Sequence, residues 1–268
     1  MIIREVKETQ MVPRSGEAKS SLDEIRERGR IRIATTWGPT AEMYLDPETG
    51  EPAGVVGLVG RVLADDLGVE PEFVDLTWGE QMPALLDGRV DICLKHTNRP
   101  DRAFLVDFAT GRLERYEGKI VIRHDSSIRQ EEDLNYLGRL IAAEIGSHQE
   151  AQVRERYPNA RLRTCHDAHE AMHLVLHGEA DACLADAGVP EFLSLHAELS
   201  VLCGPDSQPV ITSLDYAHPC IRAGDQRFLN WLNNWMDYHT VQGAFQRCID
   251  RAYQEHQAKF ARIMAKHA

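Results

Sequence analysis

The chain has 268 residues, 43% apolar and 27% charged, and acids outnumber bases 42 to 30 for a formal charge of −12. This is the composition of a globular protein with a core. It excludes disorder over most of the length and a general nucleic-acid-binding role, which needs a basic footprint. No run approaches the roughly 18 apolar residues that cross a bilayer.

Residues 1–20 read as a polar, flexible extension with no apolar leader. The expectation is therefore periplasmic if a leader was removed ahead of Met1, and cytoplasmic if Met1 is the native start. Six scattered cysteines without a Cys-x-x-Cys pair are no disulfide framework. Cys93 and Cys183 read as small core residues. Cys203 and Cys220 are the candidates for a bridge if the chain is oxidised.

The first predicted element is a helix over 21–29, with Ser21 as cap and Glu24 at the capping-box spacing. Ile31–Thr35 alternates as a strand, and Asp46–Gly54 is rich in turn residues. Val55–Leu67 has helical periodicity and stops at Gly68. Pro71–Leu76 reads as a strand, Trp78–Leu86 as a helix ending at Gly88, and Val90–Leu94 as a buried strand. Strands and helices then alternate again: Leu140–Ile145, Gln149–Tyr157, Arg161–Thr164, Ala168–His177 and Ala180–Leu184. Leu86–Leu94 and Leu176–Leu184 are similar stretches 90 residues apart, each a helix end, a glycine, an acid and a strand. The pattern predicts two α/β lobes built on mostly parallel sheets. The amphipathic tail Asp225–Arg251 is expected to pack on the first lobe. That leaves two crossings, near Glu117–Val121 and Pro209–His218, and lobes of 21–117 plus 218–268 and 118–217.

Ligands of open parallel sheets sit beyond the carboxyl ends of the strands. This rule selects Thr35-Thr36-Trp37, Lys95-His96-Thr97, Gly146-Ser147 and Ala185-Asp186. Gly146-Ser147 opens a helix, whose free N–H groups suit a carboxylate, or Ser147 is an ordinary N-cap. Arg102 is a candidate carboxylate clamp, against a surface ion pair with Asp101 or Asp107. Asp186 is a candidate ammonium acceptor. Together these groups suit an α-amino acid. Trp37, Tyr44 and Trp78 are candidate apolar or cation–π walls, or core. Lys95 is either a base or clamp, or a partner for Asp186 or another acid. His96 is either a general acid/base or, preferably, a hydrogen-bonded core residue. His166, His169, His173 and His177 share a helix face that reads as solvated rather than metal-binding. No metal site and no cofactor motif is expected.

Several stretches in order resemble a known family: Leu22–Ala34, Leu67–Val74, Trp78 through Met82–Ile92, Arg99-Pro-Asp-Arg-Ala, Val106-Asp-Phe and Gly178–Asp186. They are similar to the amino-acid-type periplasmic solute-binding proteins of ABC importers, over about Ser21–Arg251. The resemblance implies an α/β, two-lobe periplasmic-binding-protein fold that closes on its ligand through two hinge crossings, and an importer permease as partner. It also places the family's carboxylate-binding arginine on Arg102, its helix-start hydroxyl on Ser147, its ammonium-binding acid on Asp186 and its polar loop residue on Thr97. Lys95 and His96 replace the family's usual small residues, and Val55-Val56 its Phe-Asp, which implies a ligand other than a standard polar amino acid in the usual pose. Cyclohexadienyl dehydratases share the fold. Their catalytic glutamate would fall on Gln149, with Glu150 next, so the alternative of a cytoplasmic lyase or isomerase rests on Lys95 and His96.

Overall fold

A computed structural model describes residues 19–267. The extension expected over 1–20 lies outside the described residues except for its last two positions. The first helix, α1 (Ser21–Arg28), is capped by Ser20, not Ser21: the Ser20 hydroxyl accepts from the Leu22 N–H. The expected elements follow with shifts of a few residues. In the first lobe these are β1 (Arg30–Thr35), α2 (Gly54–Leu67), β4 (Glu70–Asp75), α3 (Trp78–Leu86) and β5 (Cys93–Thr97). A small hairpin, β2 (Tyr44–Leu45) with β3 (Pro52–Ala53), forms around the turn-rich segment. After β5 come a single-turn helix α4 (Pro100–Ala103) and β6 (Val106–Phe108).

The chain leaves the first lobe along β7 (Glu114–Arg123) and returns along β12 (Ile211–Arg222). These long strands pair antiparallel, Ile211 with Lys119 through Ala217 with Glu114. The second lobe holds β8 (Leu140–Glu144), α5 (His148–Arg156), β9 (Arg161–Cys165), α6 (Ala168–Leu176), β10 (Ala182–Ala185), α7 (Val189–Leu195) and β11 (Leu199–Val201). The eight-stranded sheet runs β5-β12-β7-β10-β8-β9, with β6 on β12 and β11 on β7. The β10-β8-β9 run is parallel, as is the β1-β4 pair.

The cores are separate. One packs Leu22, Ile33, Val59 and Leu63 against Phe228, Leu232 and Trp235 from the tail. Two others lie wholly within the middle of the chain, around Met172, Val175 and Phe192 on one face of the sheet and Ile120, Ile141 and Leu184 on the other. The tail is two helices rather than one, α8 (Gln226–Val241) and α9 (Ala244–His267). The break falls at Gly243, whose φ of +65° is a left-handed turn that glycine adopts at little cost. All six cysteines are free. Cys220 is buried opposite Cys93 across the β12–β5 pairing, while Cys203 is exposed, so a Cys203–Cys220 bridge does not fit this arrangement.

Candidate functional site

A cavity of about 150 Å³ lies between the lobes, at the carboxyl ends of the strands. The first lobe contributes Thr36, Trp37, Trp78, Lys95, Thr97 and Arg102 to its lining, and the second Ser147 and Asp186. Of the residues singled out from sequence, the cavity does not gather Tyr44 or His96.

Tyr44 is fully buried in a separate small cluster with Ala53 and Ile263, and its ring meets His256 edge-on at 5.3 Å. It is core, not a ligand wall. The strand alternation carries Lys95 and Thr97 toward the cleft and turns His96 away. His96 lies beneath Trp78, ring centroids 4.4 Å apart, with Nε2 donating to the Gln81 side-chain oxygen at 3.1 Å. Burial, and then the Arg102 charge, push its pKa well down. His96 is thus a neutral support behind the wall, not a general acid/base in it. Through it Gln81 is oriented to donate to Thr36, at the end of β1.

Lys95 pairs with Glu114, not Asp186. The Nζ–carboxylate distance is 2.8 Å, and the side chains are only 4% and 10% exposed. The ammonium also lies 4.7 Å over the Tyr116 ring. Glu114 accepts from Tyr116 and Tyr253 as well. Burial pushes its carboxyl up, but Lys95 and these hydroxyls outweigh that and hold it below the usual range.

Arg102 makes neither surface pair considered for it. Asp101 is taken by Arg99. The Arg102 guanidinium donates to two carbonyl oxygens, Thr97 at 3.3 Å and Gly146 at 2.8 Å. The second bond joins the lobes. Burial, and then Arg99, lower the Arg102 pKa. Carbonyl dipoles compensate a buried cation only in part, which leaves this group with capacity for an anion.

Facing it, Ser147 is the N-cap of α5: its hydroxyl donates to the Glu144 carbonyl and accepts from the Glu150 N–H. The capping reading accounts for its bonds, and its place on the wall sets the helix start at the cavity. Asp186 accepts from the Gln149 amide at 2.7 Å and the Ala187 N–H at 2.6 Å, yet burial still raises its pKa. Gln149 is therefore engaged as a donor to Asp186.

Sequence reasoning did not single out Glu42, Glu144, His148 or Met264, all of which line the cavity. Glu144 and His148 flank the selected Gly146-Ser147 pair, so the strand-end rule was one or two residues too narrow. Burial, then Asp186 and Asp167, push the Glu144 carboxyl well up. His148 reaches across the cleft to Arg99, Nδ1 to Nη1 at 3.1 Å, while Nε2 meets Asp215 at 3.2 Å. Burial lowers its pKa, so neutral His148 accepts from Arg99 and donates to Asp215. The histidine face is not simply solvated: His166 and His169 line the cavity, and the His169 and His173 rings both meet Phe192 edge-on at 4.9 Å. Among the described residues no three His, Cys, Asp or Glu side chains are placed to hold a metal ion.

Residues 30–255 match the model of the bacterial extracellular solute-binding proteins, family 3. The chain belongs to that family. It is 29% identical over 197 residues to a probable amino-acid ABC transporter periplasmic-binding protein of Sinorhizobium fredii, covering 71% of this chain and 65% of that relative. It is 26% identical to the cyclohexadienyl dehydratase of Pseudomonas aeruginosa, over 87% of this chain and 85% of the enzyme. Among solved structures, an ancestral amino acid-binding protein described as a precursor of cyclohexadienyl dehydratase superposes with a TM-score of 0.76. That match is 30% identical and covers 87% of this chain and 99% of the other. The two-lobe fold is shared with these solved structures.

Proposed function

We propose that this solute-binding protein takes a free α-amino acid, clamping its carboxylate with Arg102 and its ammonium with Asp186. The observation that carries this reading is the facing of the two groups. A partly buried guanidinium with only carbonyl partners and a partly buried carboxylate with only amide partners line one cavity from opposite lobes. A zwitterion supplies both missing charges at once. Trp37, Trp78 and Tyr116 wall the space beside them, and the α5 N-terminus adds its N–H groups on the carboxylate side.

The mechanism is closure of two lobes, 21–117 plus 218–268 and 118–217, about the β7–β12 crossing. Ligand bridging replaces Arg102–Gly146 and Arg99–His148 as what holds the walls together. Similarity to a transporter component supports an extracytoplasmic location and an importer permease as the partner. A carbon–oxygen lyase is the second reading, and Glu144, a carboxyl in the cavity wall whose pKa burial and neighbouring acids raise, is the observation that favours it. Its acid would be Glu144 rather than Lys95 or His96. A thermal-shift screen over L-amino acids and small carboxylates, with every hit checked for product by NMR, tests both. Stabilisation without product is expected. No stabilisation by any amino acid overturns the binding reading, and product formation establishes the lyase.

A further inference from the structure

The family segment ends at residue 255, but helix α9 runs on to His267. This last stretch is not a loose tail. His256 is 2% exposed and its Nε2 meets the Pro39 carbonyl at 3.0 Å. Ile263 is buried against Tyr44 and Ala53. Lys259 pairs with Asp46, Arg262 pairs with Glu48, and Lys266 donates to the Pro47 carbonyl. All of these contacts fall on one segment, 39–53, continuous with the loop that carries Thr36, Trp37, Thr40, Glu42 and Met43 into the cavity lining. One turn beyond Phe260, Met264 itself reaches that lining.

We infer that the C-terminal end of α9 is a specificity element of the ligand cleft: it pins the 36–48 loop, and Met264 forms an end wall that limits the length of the bound side chain. The inference rests on the amino-acid reading above. Methionine suits the role, because an unbranched thioether fills an irregular gap and sets how much space remains. Two functions are thereby divided along the helix. Lys259 and Arg262 anchor it outside the cleft, and Met264 acts inside.

The test uses the full chain and isothermal calorimetry with L-alanine, L-leucine, L-lysine and L-arginine as probes. In Met264→Ala, the affinity for the longer side chains relative to alanine should rise by about tenfold, the scale of one or two methylenes in an apolar pocket. Met264→Trp should shift the same ratio the other way. Lys259→Ala/Arg262→Ala leaves Met264 in place, so it should weaken all binding probes together and keep their ratio. Ratios that ignore position 264, or that move equally in the anchor variant, overturn the end wall while leaving the amino-acid reading standing. A native chain that binds none of the probes overturns that reading and the wall with it.

Discussion

Replacing Arg102 by alanine is the sharpest probe of the clamp. In the structure its guanidinium is partly buried, loses pKa through burial, and is satisfied only by the Thr97 and Gly146 carbonyls. A ligand carboxylate at this point would meet its only cation not already ion-paired among the described cavity-lining side chains, since Lys95 is held by Glu114. Truncating one partner of a buried charge pair costs about 2–5 kcal/mol, or affinity about 30-fold to several-thousand-fold weaker. Arg102 also ties the lobes through Gly146, so a loss of affinity alone does not identify the carboxylate contact. The discriminating assay compares each amino acid with its primary carboxamide by calorimetry. The native chain should prefer the free acid strongly, and Arg102→Ala should bind acid and amide alike. Arg102→Lys should fall between, because it keeps the charge and loses the planar fork. An acid-over-amide preference that survives in Arg102→Ala would refute the clamp and leave Arg102 as an inter-lobe tie.

Three further outcomes are expected. Lys95→Met strands Glu114 in a site where both side chains are nearly buried, so urea unfolding should show a loss of about 3–5 kcal/mol. Lys95→Met/Glu114→Leu should recover much of it, and a single-variant loss no larger than the roughly 1 kcal/mol of a surface pair would contradict this burial. Glu144 keeps its proton to higher pH when folded than the ordinary value of about 4.3. Native stability therefore falls as pH rises from that value to the folded pKa. Glu144→Gln should remove the slope, its calorimetric melting temperature pulling ahead of the native chain toward neutral pH, whereas parallel melting curves would argue against the raised pKa. Gly146 has φ +73°, and a Cβ there would sit 2.9 Å from the Gly79 Cα on the opposite lobe. Gly146→Ala should add about 1–2 kcal/mol of backbone strain and hold the lobes apart, read as a larger radius of gyration and weaker binding; unchanged scattering and affinity would refute the contact.

The fold was legible because its signals are local and repeated. Gly68, Gly88 and Gly178 each stop a helix or its turn in a left-handed conformation, and the strands that follow Gly88 and Gly178 are buried. The strand-end rule reached Trp37, Lys95, Thr97, Ser147 and Asp186 because topology alone brings strand ends to a cleft. The preference for His96 as a core residue and Lys95 as a cleft residue agrees with the strand alternation, set by the register of Ala217 with Thr97 and His218 with His96. Tyr44 was beyond sequence reading. Its neighbours Ile263 and His256 come from a helix more than 200 residues away. The same long-range packing brings Met264 to the wall: it lies on the stripe of α9 that carries Ala252, His256 and Ile263, but helical spacing alone does not say which distant loop that stripe meets. The histidines of α6 mark the limit of the helical-face argument: the apolar stripe predicts a solvated opposite face, but Phe192 from α7 packs onto it.

The charges around the cavity bear on binder against lyase more directly than the fold does. Its lining holds Glu42, Glu144, Asp167, Asp186 and Glu191 against Lys95 and Arg102. Lys95 is neutralised by Glu114, and one oxygen of Glu42, itself 6% exposed, has no hydrogen-bond partner among the described residues. One anionic group of a ligand finds Arg102 and the α5 N-terminus. A second would face carboxylates, and a like-charge contact at 4 Å costs about 4 kcal/mol at the effective dielectric of a protein surface. An ammonium, by contrast, meets acceptors on both lobes. The wall therefore opposes a dianionic acid and favours a ligand with one carboxylate and at least one amine. In the proposed pose the ligand would carry its own counter-charges into the cleft, and its ammonium would offset the acids Glu42 and Asp186, which have no cation beside them among the described hydrogen bonds.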